Sequence, residues 1–366
     1  EIVRIGAGRV DLVVLAEPAA PRTWPADVRV LVEVTERAEA RQAAAAGAYG
    51  LVARGNEAGG RVGELSTFVL LQQLLDDPLL RLPVWAAGGI GIHTAPAAVL
   101  GGAAGVVLDT ALALLPESDL PGDLAAWLRR LDGSESAVED GMRGVRSLDG
   151  TAQLQVGQDA FLAGRFAAVH ASVGGAVKAV REAIMSAGDA QPHPVELGCA
   201  LPVVQGPMTR VSDQPAFASA VAGAGGLPFL ALALSSAEQT RTMLTQARAV
   251  LGDRPWGVGV LGFAPEDVRS AQLEIIREIR PSHAIIAGGR PSQAADLEAA
   301  GISTFLHVPS PGLLEQFLAA GARKFVFEGS ECGGHVGPRG AFPLWEAQLG
   351  VLSDYLEANK ATDIDV

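Results

Sequence analysis

FEGSECGGHVGPRGAF, residues 327–342, follows an apolar run and gathers two adjacent glycines, a histidine, a cysteine and two glutamates in one turn-like stretch. ARGNEAGGRVGELSTF, residues 53–68, repeats it with arginine in place of the histidine. The likeness extends outward. Residues 28–63 align without gaps on residues 302–337 at one offset, since 335 − 61 = 274. Both copies read strand, helix, AAGA, strand, then G-x-E-x-G-G-x-V-G, and the match runs on to Phe68 and Phe342. Upstream, LVVLAEP resembles AIIAGGRP. Similarity this long, with the glutamate and both turn glycines in register, reads as a domain duplication; the period is far too long for a solenoid.

Short apolar runs alternate with Ala- and Leu-rich helical stretches along most of the chain. DLVVLA, VRVLVEV, YGLVAR, LPVWAAGGI and GVVLDTAL come first, and LPVVQGPM, LPFLALAL, WGVGVLGF, HAIIAGG, STFLHV and KFVFEG follow after a gap. Runs of this length bounded by Gly and Pro suit fully buried parallel strands. Strict β–α alternation implies parallel sheets with crossover helices, of the doubly wound or TIM-barrel kind. The first set supplies about five strands and the second about six, whereas one barrel needs eight. The repeated block falls mid-series in each. The expected fold class is therefore α/β of the TIM (β/α)8 barrel type, two related barrels in tandem, each incomplete. Residues 1–115 form the back part of a first barrel (about strands 4–8) and residues 195–366 the front part of a second (about strands 1–6). Residues 116–194 lack the β–α rhythm and form a connector, acidic and then helical.

Composition narrows the function classes. Of 366 residues, 49% are apolar and only 5% aromatic, as in an α/β protein with tight helix–sheet packing. A net charge of −13 argues against nucleic acid and anionic membrane surfaces as partners, since both need a basic footprint. Two cysteines, Cys199 and Cys332, do not make a disulfide framework, which points to a reducing, cytoplasmic setting. No run reaches the ~18 apolar residues of a membrane span, and the start, with an acid first, resembles no signal peptide. The missing initiator Met suggests a segment of a longer protein or a processed chain. No His/Cys/Asp/Glu grouping has metal-ligand spacing, so no metal is expected; phosphate-loop and Ser–His–Asp signatures are absent as well.

The segment LPVVQGPMTRVSDQPAFASAVAGAGGLPFL, residues 201–230, resembles the first strand and helix of the nitronate monooxygenase and FMN-dependent enoyl reductase family (2-nitropropane dioxygenase-like). That family opens with P-h-h-Q-x-P-M, h being apolar, and then A-G-G-L-G. EGSECGGHVG resembles its E-G-x-E-x-G-G-H-x-G after the sixth strand. LPVWAAGGIG with GGAAGVVLD resembles its seventh and eighth strands, which hold the FMN phosphate. The flavour is that of regions found with polyketide and polyunsaturated fatty acid synthases. The resemblance implies a cofactor, FMN, and a reductant, NAD(P)H. It places Gln205, Gly206, Pro207 and Met208 at the isoalloxazine wall, Glu328, Gly329, Gly333 and Gly334 in the loop beside the flavin, Gly88 and Gly89 at a phosphate, and His335 as the catalytic residue.

Physical readings stand beside these. Barrel sites form at the C-terminal ends of strands, and a turn with Gly206 and Pro207 lets backbone approach a flat ring; otherwise it is simply a tight βα turn. Gly333 and Gly334 leave room for a ligand and allow conformations closed to other residues. Histidine, with an ordinary pKa near 6.5, can polarise a carbonyl or move a proton. Gly88, Gly89 and Gly91 suit phosphate binding by backbone N–H groups at a helix start. Glu331 reads as a loop cap, because its counterpart Glu57 survives in the first copy. Arg61 stays protonated: it holds a phosphate or pairs with an acid, and the first copy is expected to be altered at that step. The family's G-T-R-F element is replaced by LDTALAL, which removes the arginine and adds Asp109. Cys332 is more simply a small buried residue than a nucleophile, since the first copy has Ala58. His283 and His307 read as structural, Arg210 and Asp213 as substrate-orienting or paired, and His170 and His193 as connector residues.

Three functions follow. The leading one is an FMN-dependent module of a polyketide or fatty acid synthase-like protein that reduces an enoyl thioester on a carrier protein, with other domains of the same megasynthase as partners. The second keeps the flavin but oxidises a nitronate with O2. The third is a non-catalytic scaffold barrel.

Overall fold

The computed structural model describes residues 11–18, 28–146, 153–189, 197–360, 364 and 366. It divides into two compact units. The first is Glu1–Ala190, Gly329–Glu331 and Pro338–Gly350; the second is Gln191–Glu328, Cys332–Gly337 and Val351–Val366.

The first unit carries β1 (Leu12–Leu15), β2 (Arg29–Val34), β3 (Gly50–Arg54), a two-residue β4 (Gly60–Arg61), β5 (Val84–Ala87) and β6 (Gly105–Val107). An open parallel sheet runs β1-β2-β3-β5-β6. Its middle strands are buried on both faces, which is why they read as continuous apolar runs. Helices Arg37–Ala45, Thr67–Leu75 and Thr94–Leu100 cross between them, and Leu51, Leu70, Leu74 and Ile90 form the core beneath.

The stretch following β6 also belongs to this unit. It holds β7 (Ala137–Glu139), β8 (Met142–Arg146) and β9 (Gln153–Leu154). The three are antiparallel, and β8 pairs with β4 as well. The sequence shows no rhythm here because these strands are short and part-exposed. The helix Phe161–Val169 adds Leu162 and Phe166 to the main core.

The second unit carries β10 (Val204–Gln205), β11 (Leu227–Ala231), β12 (Gly257–Leu261), β13 (His283–Ala287), β14 (Ser303–His307) and β15 (Phe325–Val326) in one open sheet, in chain order and parallel throughout. Two of its helices begin on serine caps. Ser236 and Gln239 form a reciprocal box at Ala237–Leu251, and Ser310 caps Pro311–Ala319. Among the described residues both units are thus α/β, with parallel sheets of five and six strands.

The aligned copies occupy matching elements. Helix Arg37–Ala45 shifted by 274 residues is Pro311–Ala319, and β2 starts at Arg29 where β14 starts at Ser303 (303 − 29 = 274). Upstream the offset changes: Leu12 pairs with Arg29 as His283 pairs with Ser303, and 283 − 12 = 271. The two blocks thus differ by three residues in the spacing before the second strand of each.

The glutamate shared by both copies has one job in each. Glu57 accepts from the Thr67 N–H at 3.0 Å, and Glu331 accepts from the Ala341 N–H at 2.9 Å. Thr67 and Ala341 are the first residues of helices Thr67–Leu75 and Ala341–Asn359. A carboxylate there satisfies an orphan donor and meets the positive end of the helix dipole. Within the first unit these two helix starts also pack together. Phe68 lies edge-on to its counterpart Phe342 (5.8 Å) and to Trp345 (5.2 Å), and Ser66 Oγ donates to Glu331 at 2.8 Å.

Phe229 on β11 is fully buried and meets the His283 ring edge-on at 6.4 Å. Its replacement in Phe229→Ala should cost about 3–5 kcal/mol, read as a lowered denaturation midpoint for the second unit with the first unchanged.

Candidate functional site

The C-terminal ends of β11 to β15 define a cavity of about 550 Å³ in the second unit. Its floor is Ala231, Val260, Leu261, Ile285, Ala287 and His307, at or beside the strand ends. One wall is Gly206, Pro207, Met208 and Thr209, the turn after β10; the other is Glu328, Cys332, Gly333, Gly334 and His335, the loop after β15. Small residues make the space. A Cβ on Gly259 would lie 2.2 Å from Pro207, so that glycine lets the turn settle against β12. A Cβ on Gly206, Gly333 or Gly334 would meet nothing within 4 Å, and Gly334 has φ +90°, which a side chain would strain.

The loop presents His335 at the surface, its ring 4.9 Å from that of Phe263. Burial pushes the Glu328 carboxyl above its ordinary range. His307 is 4% exposed; its Nε2 has no hydrogen-bond partner and lies 3.6 Å from Glu328 Oε2. Burial, and then the nearby His335, hold His307 below the usual histidine range. The cavity therefore has apolar walls and one polar edge of two histidines and a carboxyl, the composition of a ligand site.

The structure brings Gly206, Pro207, Met208, Glu328, Gly333, Gly334 and His335 around this one cavity. It does not put the others there. The Gln205 amide turns to β11, donating to the Phe229 carbonyl at 3.2 Å and accepting from its N–H at 3.3 Å. Gly329 lies in the first unit, where a Cβ would meet Glu331 and Ala341. Arg210 and Asp213 stand apart from the lining, whereas Cys332 is part of it. His283 is structural, its Nδ1 2.8 Å from Ser282 Oγ. His170 packs on Phe166 at 5.2 Å, and His193 lies outside the described residues. His307 is the residue that sequence reasoning missed: a strand histidine looks structural until its neighbours are known.

Gly88 and Gly89 lie in the first unit, and the amides around them are taken. Gly89 (φ +67°) donates to Asp159 at 3.3 Å. The N–H groups of His93 and Thr94 donate to Glu346 at 2.9 and 2.8 Å. A Cβ on Gly91 would strike that carboxylate. The chain's own carboxylates hold the donors that a phosphate would need.

The first copy's strand ends are likewise filled. Arg61, at the histidine position, binds Glu39 at 2.8 Å and the carbonyls of Ala16 and Glu33. Burial opposes the Glu39 charge, but Arg61 and the Thr35 N–H outweigh it and keep that carboxyl below its ordinary range. Arg54 bridges Glu33 at 3.0 Å and Asp109 at 3.4 Å. Of the two readings of Arg61, pairing with an acid is the one observed.

Comparison with known proteins matches residues 17–132 to the family model of nitronate monooxygenase. A nitronate monooxygenase of Pseudomonas aeruginosa is 29% identical over 197 residues, covering 43% of this chain and 55% of that protein. The (3aS,4S,5R,7aS)-5-hydroxy-7a-methyl-1-oxo-octahydro-1H-indene-4-carboxyl-CoA dehydrogenase of Rhodococcus jostii is 37% identical over 144 residues, 39% of each chain. A solved structure of FabK from Thermotoga maritima superposes on 42% of this chain and 49% of its own with 25% identity and a TM-score of 0.39. The chain spans about half the length of the nitronate monooxygenases it matches. Among the described residues no single helix is long and apolar enough to cross a membrane, and no cluster of three or more His, Cys, Asp or Glu is placed to hold a metal.

Two buried acids of the first unit set a pH dependence. Burial raises Glu57 and Asp159 each to about 7. An acid raised by folding keeps its proton in the fold after the unfolded chain has lost it, so stability is full below about pH 4 and falls as pH climbs through about 7. Thermal melts from pH 5 to 8.5 should show a declining midpoint, and Glu57→Gln should flatten the slope.

Proposed function

We propose that the chain carries a flavin-dependent oxidoreductase site in its second unit, with the flavin ring in the cavity between the turn at residues 206–208 and the loop at residues 333–335. The observation that carries the reading is this strand-end cavity, with backbone-rich walls and His335, Glu328 and His307 along one edge. Its volume and apolar floor suit a flat heteroaromatic ring, and His307 offers an orphan polar atom beside it. The family match, over residues 17–132 of the first unit, supports flavin chemistry of the nitronate monooxygenase type for the block that recurs in the second unit. When bound, FMN would supply the hydride chemistry. The chain's part is to exclude water from the ring with Met208, Leu261 and Ile285 and to move a proton or polarise a carbonyl with His335. We infer further that the two aligned blocks are a tandem duplication, and that the substrate is an enoyl thioester on a carrier protein of a polyketide or fatty acid synthase, reduced at the expense of NAD(P)H.

Nitronate oxidation with O2 is the second reading, favoured by the printed activity of the matched family. The scaffold reading applies to the first unit, where Arg61 and Glu39 occupy the place of a reactive histidine.

The second unit's cavity fits the two ends of FMN unequally. It has room for the ring, and no lysine or arginine lines it to pair with a phosphate. FMN and riboflavin should therefore bind this chain within about threefold of each other, since a well-held phosphate would contribute charge-assisted hydrogen bonds worth far more. Titration by flavin fluorescence quenching checks this, and a large preference for FMN would show an intact phosphate cradle.

The deciding experiment is the visible spectrum of the purified protein with added FMN, wild type against His335→Ala, followed by turnover with enoyl thioesters plus NAD(P)H and with nitronates plus O2. Uptake by both proteins, with turnover at least about 10²-fold lower in His335→Ala, is expected. A protein that takes up neither flavin ends the oxidoreductase reading.

A further inference from the structure

We propose that His307 is a positioning residue of the second unit's cavity: its ring Nε2 accepts a hydrogen bond from the protonated Glu328 carboxyl, so that Glu328 faces the ligand as an uncharged acid held in one orientation. It concerns the pocket of the proposed function and deepens that reading, but its test does not need a flavin.

The argument begins with an unsatisfied atom. His307 closes β14, whose neighbours on both sides are hydrogen-bonded to it, and the strand fixes where its ring can lie. The ring is buried, and Nε2 has no hydrogen-bond partner. A buried nitrogen left unpaired costs about 1–3 kcal/mol. The group facing it is Glu328 Oε2 at 3.6 Å, a few tenths of an ångström beyond a hydrogen bond. The titratable groups lining the same cavity are Glu328, His335 and Cys332; no lysine or arginine is among them to hold Glu328 as an anion. In this setting the pair O–H···N, with acid and imidazole both neutral, satisfies the nitrogen without burying charge. The directions in which burial moves the two groups agree, the acid upward and the histidine downward.

The consequence is chemical. An ionised Glu328 would repel an anionic ligand such as a nitronate from this edge. A neutral Glu328 leaves its carbonyl oxygen free to accept from an N–H or O–H of the ligand and leaves His335 to set the charge of the site. The cavity is thereby suited to ligands that are neutral or anionic, and its affinity for anions should fall once the pair loses its proton.

The test is a carboxyl titration by 13C NMR of selectively labelled, flavin-free protein. Comparison of wild type with Glu328→Gln assigns the Glu328 signal. In wild type it should titrate above the ordinary glutamate range. In His307→Leu, which keeps the volume and removes the acceptor, the midpoint should fall by about one pH unit, the worth of one hydrogen bond. His307→Asn, which retains an acceptor, should recover part of the shift. The 15N spectrum of His307 should show an unprotonated Nε2 that changes in Glu328→Gln. A Glu328 midpoint unmoved in both His307 variants, with the amide spectrum still that of the folded protein, would overturn the proposal. So would a His307 that titrates independently of Glu328. If His307→Leu fails to fold, the 15N response to Glu328→Gln decides alone. Failure to bind flavin bears on the preceding section and leaves this result unaffected.

Discussion

A carboxylate at the start of a helix organises both copies of the repeated block. Glu57 and Glu331 each reach ten residues forward to the first N–H of a helix, at Thr67 and at Ala341. The intervening loop is then tied at both ends, by the strand it leaves and by the helix it enters. Its glycines provide the freedom to turn, and the capped glutamate removes that freedom again. The residue four positions after each capping glutamate, Arg61 or His335, is consequently delivered to a fixed place at the strand ends. The same contact brings the two helix starts of the first unit against each other, where Phe68 meets Phe342.

On this common frame the two blocks differ in what they put at the strand ends. In the first, guanidinium groups fill the space. Arg61 is bound to Glu39 and two carbonyls, Arg54 to Glu33 and Asp109, and the amides near Gly89 are held by Asp159 and Glu346. The guanidinium and amide donors named here already hold partners from the chain itself. In the second, the corresponding region is lined by glycine, alanine and branched aliphatics, and its polar groups face one another across a gap rather than closing on themselves. One substitution at the histidine position does not explain the difference; it is the company of Glu39 and Glu33 that turns an arginine into a structural residue.

Much of this was legible in the sequence because periodic features survive without context. The eleven parallel strands found among the described residues, the offset of 274 and the capping role of Glu331 could be read from spacing and from its counterpart Glu57 in the first copy. The turn at residues 206–208 and the glycines before His335 could be named from their pattern. What escaped depends on contacts far apart in the chain. Gln205 belongs to the motif, yet it hydrogen-bonds to a neighbouring strand. Gly329 directly follows Glu328 of the cavity wall but belongs to the first unit. Glu346 lies on a helix 253 residues from His93, and nothing local marks it as the partner of that amide. The short antiparallel strands β7 to β9 carry too few apolar positions to register as a pattern.

The open sheets have a consequence for how the protein behaves in solution. Among the described residues, β1 and β10 each pair on one side only, and both lie amid exposed aliphatics: Leu12 and Val14 are 47% and 52% exposed, Val203 and Val204 55% and 45%. An unpaired strand edge with apolar side chains is a template for any extended segment that passes. Among the described residues each sheet thus keeps hydrogen-bonding valence at one edge, where an extended apolar segment would add as a further strand.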